Sequence, residues 1–408
     1  MSAALQIASA DIARLDAGSA LRHPEPGTPE WDELLLALTH RFAATAAVHD
    51  RDASFPHANF AALHEHGLLS LTVPRSQGGA EATLAQAASV IHAVARGEPS
   101  TALVLVMQYL FQVMIGRSTA WPAHLRERVA HDAVQSGALI NALRVEPELG
   151  TPARGGLPAT VARRVPEGWR ISGRKLYSTG IPRLTWLAVW SRSDDADPLV
   201  GSWLVHRDTP GISVIENWDH LGMRASGSHE VVFDDVLVPA DHAVDVQLAS
   251  APPRADGGFF SWTSVLLSAL YDGVAHAARD WFVQWAHSRV PANLGAPLSS
   301  VPRFQEALGE IDALLFASKT ILHAATQGQT APTDQGFIKY IVTGNAIAAV
   351  QKIAEISGNP ALSRHNPLER HLRDVLCSRI HTPQNDAILT AAGKSGFARH
   401  AASTLAPF

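Results

Sequence analysis

The sequence predicts an α+β protein in three parts: an N-terminal helical domain, a middle β-barrel and a C-terminal four-helix bundle. Three observations predict it. Apolar residues recur at helical spacing before residue 136. Short β-branched and aromatic runs begin at Gly137, and helical periodicity returns after Gly257-Gly258. The expected boundaries are an arm over 1–27, helices over 28–135, the barrel over 136–248 and the bundle over 249–408. A chain of 408 residues is long enough for two or three domains with large cores.

The arm is Ala-rich and ends in His23-Pro24-Glu25-Pro26-Gly27. Thr28 can cap a helix with Pro29 at its first position. Trp31, Leu34, Leu35, Leu38 and Phe42 then define one apolar face, which Phe60 and Leu63 extend to Gly67. Helices over about 83–96 and 100–115 follow, split by Gly97-Glu98-Pro99-Ser100. Strands are expected over 138–145, 159–165, 168–178, 184–191, 201–206, 212–215 and 229–238, ending at Val238-Pro239. Seven short strands separated by Gly- and Pro-containing turns suit a barrel. The last helices are expected over about 259–288, 301–327, 333–357 and 366–380.

Composition narrows function. With 46% apolar and 17% charged residues and a net charge of −5, the chain lacks the basic excess that nucleic acid or anionic lipid would attract. No strictly apolar stretch approaches the roughly 20 residues that span a bilayer, and no secretory signal is visible. A cytoplasmic protein is expected. One cysteine, Cys377, excludes an intramolecular disulfide framework and Cys-rich metal sites. Twenty histidines raise a metal hypothesis, but His64-Glu65-His66 lacks helical ligand spacing and His-Glu-x-x-His is absent, so no metal is expected. Gly-x-Ser-x-Gly, Gly-x-Gly-x-x-Gly and the P-loop are also absent.

Two segments are more patterned than a scaffold needs: Gly168–Gly180, which ends Lys175-Leu176-Tyr177-Ser178-Thr179-Gly180, and Leu221–Pro239, which opens Leu221-Gly222-Met223-Arg224-Ala225-Ser226-Gly227-Ser228. A strand end with an aromatic beside hydroxyls can face a planar heteroaromatic ring. Both segments resemble the middle domain of the acyl-CoA dehydrogenase superfamily. Phe55-Pro56, Leu63, Gly67-Leu68-Leu69, Pro74 and Gly78-Gly79 resemble its opening domain, and Asn366–Asp374 its last helices. The resemblance covers about residues 28–390 and implies a flavin between the domains and a homotetramer.

Departures from that family point to a branch. Its catalytic carboxylate is expected at one of two places. One holds Thr382 within His381-Thr382-Pro383, and the other falls near Thr263. A hydroxyl does not serve as such a base. The family's Thr-Glu-Pro-x-x-Gly-Ser-Asp reads Val145-Glu146-Pro147-Glu148-Leu149-Gly150-Thr151-Pro152. The sequence is similar to the two-component flavin monooxygenases, a branch that includes dibenzothiophene monooxygenase and para-hydroxyphenylacetate hydroxylase, through His381-x-Pro383, Asn141 and Tyr177-Ser178-Thr179-Gly180. That resemblance implies oxygenation of a small organic substrate by O2 through a flavin C4a-hydroperoxide, with a separate NAD(P)H:flavin reductase. It gives catalytic roles to Ser178, at flavin N5, and His381, and cofactor contacts to Asn141, Tyr177, Ser178 and Thr179. On the adenine side it marks Arg289, Gln305, Gln351 and Gly358. The Phe expected after Arg289 is missing, and Ala361 stands where a second glycine would approach pyrophosphate, so FMN is favoured over FAD. The alternatives are an acyl-CoA dehydrogenase with a displaced base and a non-catalytic relative.

Overall fold

The computed structural model of the chain describes residues 23–149, 156–252 and 258–404. Most of the expected N-terminal arm, and Gly150, Thr151 and Pro152 of the Glu-Pro motif, lie outside these residues. Helices α1 (Pro29–Asp52), α2 (His57–Glu65), α3 (Leu84–Gly97), α4 (Pro99–Arg117) and α5 (Ala123–Ser136) come first. Thr28 caps α1 as expected, its hydroxyl accepting from Trp31 N–H. The apolar face does not run unbroken to Gly67: Ala53 takes a left-handed conformation, and the chain turns before Pro56. Thr83 and Gln86 form a reciprocal capping box that starts α3. By length and composition α4 could cross a membrane, but most of it is buried inside the protein.

Eight strands follow: β1 (Leu139–Leu143), β2 (Val161–Val165), β3 (Gly168–Lys175), β4 (Leu184–Ser193), β5 (Leu199–His206), β6 (Ile212–Ile215), β7 (Glu230–Val238) and β8 (Ala243–Leu248). They form one mixed sheet in the order β6-β7-β3-β2-β4-β5-β8, with β1 paired in parallel to β4. The middle unit is thus β as expected, and among the described residues no ladder joins edge strands β6 and β8. Strand β8 was not expected, because Val238-Pro239 reads as the end of the strand region. A single turn over Ala240–His242 instead returns the chain to β5.

Helices α6 (Phe259–Ser288), α7 (Pro302–Thr326) and α8 (Gln335–Ser357) are long, as expected. The fourth, α9 (Leu368–Leu376), has only 9 residues, and a further helix, α10 (Asn385–Thr404), follows it. One apolar cluster runs from Trp31 through Ile171 and Phe233 to Tyr271 and Val375, joining all three parts. Two glycines allow close helix crossings. A Cβ on Gly97 would lie 2.6 Å from Thr39 O, and one on Gly273 would lie 2.6 Å from His92 O. These contacts bring α1 against α3 and α3 against α6.

Candidate active site

The strand end is anchored by a buried ion pair. Lys175, the last residue of β3, places Nζ 2.5 Å from Glu146 Oε1, and both side chains are sealed from solvent. Glu146 also accepts from Thr160 Oγ1 (2.5 Å), Thr160 N (3.0 Å) and Ala159 N (2.6 Å). Burial pushes Lys175 down to about 8 against the pull of Glu146. The carboxyl is held below its ordinary value, because its bonds to Lys175, Thr160 and Ala159 outweigh burial.

Beyond Lys175 the chain leaves the ladder. Tyr177 adopts φ +54°, and its ring is 52% exposed. The ring stands edge-on to Trp218 and His220, which stack with centroids 3.7 Å apart. Thr179 is half-buried; its hydroxyl lies 2.9 Å from Ser228 Oγ, which lies 2.8 Å from Ser226 Oγ. Asn141, on β1, donates from Nδ2 to Thr179 O at 3.0 Å. Asn141, Tyr177 and Thr179 therefore meet as expected. Ser178 does not line this edge: it is 0% exposed, and its enclosed Oγ has no partner. A hydroxyl walled in by protein cannot reach a ring laid against the strand end. Of the two neighbouring hydroxyls, the Thr179 one is the more accessible, because the turn at Tyr177 directs the Ser178 side chain into the protein.

The C-terminal loop forms a second centre. Lys339, fully buried on α8, donates to Ser378 O (2.9 Å), His381 O (2.9 Å) and Pro383 O (2.8 Å). Its three N–H bonds meet three carbonyls, and burial pushes it down to about 8. His381 Nδ1 lies 2.6 Å from Tyr271 Oη. Burial, and then the Lys339 charge, lower His381 to about 4. Tyr271 is buried and raised well above its ordinary value, so its phenol stays protonated. Neither position expected for a base holds an acid: Thr382 is exposed, and Thr263 Oγ1 donates to Phe259 O at 2.7 Å within its own helix.

The 221–228 segment ties the strand end to α9. Asp374 accepts from Met223 N at 2.7 Å, and burial raises it to about 7 against that bond. Arg373 grips Asp50 at 2.6 and 2.9 Å and donates to Leu221 O at 2.7 Å. Ser226 N donates to Met223 O at 3.0 Å, completing the connection to Ser228 and Thr179. Arg289, Gln305, Gln351 and Gly358 are all exposed on the C-terminal helices and their ends. Among the described residues no hydrogen bond joins any of them to the strand end. Gly358 has φ +67° with nothing within 4 Å of a built Cβ, so its turn alone accounts for the glycine.

Sequence reasoning missed Tyr271, Lys339 and Trp218. A lone lysine in the apolar run Phe337-Ile338-Lys339-Tyr340-Ile341 was the available signal for Lys339. Nothing local marks Tyr271, whose partner is 110 residues away.

A sheet domain set in the chain between two helical domains, with an aromatic-and-hydroxyl strand end tied to the C-terminal helices, is the arrangement that the family comparisons identify. The chain matches the N-terminal domain of acyl-CoA dehydrogenase over residues 33–118, the middle domain over 144–236 and the C-terminal domain over 265–385. It belongs to the acyl-CoA dehydrogenase family of flavoproteins. It is 32% identical over 367 residues to the putative acyl-CoA dehydrogenase YdbM of Bacillus subtilis, covering 88% of this chain and 94% of that protein. It is 30% identical over 393 residues to the L-evernosamine nitrososynthase of a Micromonospora species, covering 89% of each. Among solved structures, KijD3 in complex with FMN and dTDP-3-amino-2,3,6-trideoxy-4-keto-3-methyl-D-glucose superposes with a TM-score of 0.78. It is 30% identical and is matched over 97% of its chain and 93% of this one.

Proposed function

We propose that the chain is a flavin-dependent monooxygenase that uses reduced flavin and O2 to oxygenate a small, nitrogen-containing organic substrate. The observation that carries this reading is the pair His381–Tyr271, with no acid at either position where the family's base is expected. The similarity to a nitrososynthase and to KijD3 supports nitrogen as the atom oxygenated. FMN is the favoured flavin, supported by the KijD3 complex, with FAD the alternative.

The residues at the strand end fit a flavin. The half-buried Thr179 hydroxyl offers a hydrogen bond to the ring edge, Asn141 fixes the Thr179 carbonyl, and the Tyr177 ring supplies an exposed aromatic wall. When bound, reduced flavin supplies the electrons that activate dioxygen. The chain's own task is proton management and exclusion of water. With Tyr271 donating to Nδ1, His381 carries its proton on Nε2 and stays neutral down to about pH 4. That N–H would hydrogen-bond to the oxygen to be transferred and hold it toward the substrate nitrogen, whose proton would leave through water. A separate NAD(P)H:flavin reductase, a homotetramer and a cytoplasmic setting complete the proposal.

The test supplies chemically reduced FMN and air with a panel of amines, and measures oxygenated product and hydrogen peroxide. Wild type yields product, and His381→Ala binds flavin but loses about 10²-fold or more of product formation, releasing peroxide instead. Anaerobic bleaching of bound flavin by an acyl-CoA would overturn the reading in favour of a dehydrogenase.

A further inference from the structure

Away from this site, three side chains converge between α3 and α6. Asp272 follows Tyr271, so its side chain leaves α6 about 100° further round the helix. His276 lies one turn on, at i+4, and shares that face. His92 reaches across from α3, brought close by the bare Cα of Gly273 beneath its carbonyl.

The spacing is that of ligands around a cation. His92 Nε2 and His276 Nδ1 each lie 3.3 Å from Asp272 Oδ2, and they lie 3.4 Å from one another. An ion held tetrahedrally at roughly 2.0–2.1 Å by nitrogen and oxygen sets its ligand atoms roughly 3.3–3.4 Å apart. A direct charge-assisted N–H to carboxylate bond would instead draw the atoms to roughly 2.7–2.9 Å. A second observation points the same way: Asp272 is 3% exposed, and its Oδ1 is buried without a partner. Both imidazoles are partly open to solvent, which leaves room for water as a further ligand.

We propose that His92, Asp272 and His276 bind one divalent transition-metal ion of the zinc class, which pins α3 to α6. Two imidazoles and one carboxylate suit such borderline ions over Ca2+ or Mg2+, which prefer all-oxygen shells. Without metal, His276 Nδ1 lies 2.9 Å from Asp272 O and donates its proton there. The ion takes the Nδ1 lone pair, and that proton is released to solvent. Arg96, the nearby cation, is neutralised by Asp280 at 2.6 Å. No single segment carries a ligand set, so the sequence alone points to no metal. Here the i,i+4 pair Asp272/His276 is completed from another helix.

The experiment titrates Co2+ into chelator-stripped full-length protein, following visible d–d absorption, and then displaces the Co2+ with Zn2+. One saturable equivalent per chain is expected, with proton release in weakly buffered solution and a raised melting temperature with Zn2+. Asp272→Asn and His92→Ala should each abolish the tight step. His124→Ala, which removes an exposed His–Asp pair elsewhere, should leave it intact. Absence of a saturable step in wild type, or equal binding in the Asp272→Asn and His92→Ala proteins, overturns the proposal. The Zn2+-dependent melting shift of wild type decides the matter if these variants fail to fold; no shift overturns the proposal.

Discussion

The β region and the C-terminal helices each bury one lysine completely, and each lysine is pushed down to about 8, yet they are compensated in opposite ways. Lys175 faces a carboxylate that is itself held by three further hydrogen bonds. Among the described residues Lys339 has no acidic partner; three loop carbonyls absorb its charge. The first arrangement is a closed staple whose field ends at Glu146. The second leaves a net positive charge, which is felt by the histidine whose carbonyl it holds. A buried cation thus becomes either mortar or a tuning element, depending on whether its counter-charge is present.

The largest effect expected from breaking this comparison lies in the staple. Glu146→Leu leaves a buried ammonium unpaired and should cost about 3–5 kcal/mol in urea unfolding. Glu146→Leu with Lys175→Met should recover part of that loss, because an apolar pair replaces two desolvated charges while the Thr160 and Ala159 donors stay unpaired. Equal loss in the single and double variants would mean that packing, not charge, sets the cost.

Lys339→Met should cost less, about 1–3 kcal/mol, the penalty for buried acceptors left without a donor. It should also raise the His381 pKa from about 4 towards its ordinary 6.5, read by NMR of labelled histidine. The unfolded chain binds a proton at His381 near 6.5 and the folded one near 4. The His381 contribution to stability is therefore full above about 6.5 and is lost as pH falls to 4. In Lys339→Met that window should narrow.

Tyr271→Phe is expected to act through orientation. Losing the bond to Nδ1 should lower product per reduced flavin by about two- to twelvefold, with peroxide rising in step. The smallest effect separates neighbours at the strand end. Thr179→Val should weaken reduced-flavin affinity by about two- to twelvefold, whereas Ser178→Ala should leave it unchanged, because the Ser178 hydroxyl is enclosed.

Helical periodicity placed Trp31, Leu35, Leu38 and Phe42 on a buried face, and the texture change at Gly137 separated helix from sheet, because both signals are local. The strand end was legible as an element, and Asn141 and Thr179 meet there, but the facing of Ser178 depends on how the chain leaves the ladder after Lys175. Tyr271 and His381 lie 110 residues apart, and no pattern in either segment announces the other. The same holds for His92 and His276, which meet only because α3 packs on α6. Strand β8 was lost because Pro239 ends one strand without ending the sheet.

Gly222 has a consequence for chemical reactivity. A Cβ there would lie 2.6 Å from Arg373 O and 2.9 Å from Cys377 Sγ, so bare backbone caps the chain's single thiol. Burial pushes that thiol up to about 12, and almost none of it is thiolate at neutral pH. Cys377 is half-buried, so alkylating reagents should modify it slowly, and faster when the 221–228 segment lifts from α9. A rise in the rate of that single irreversible modification thus reports a loosening of the link between the strand end and α9.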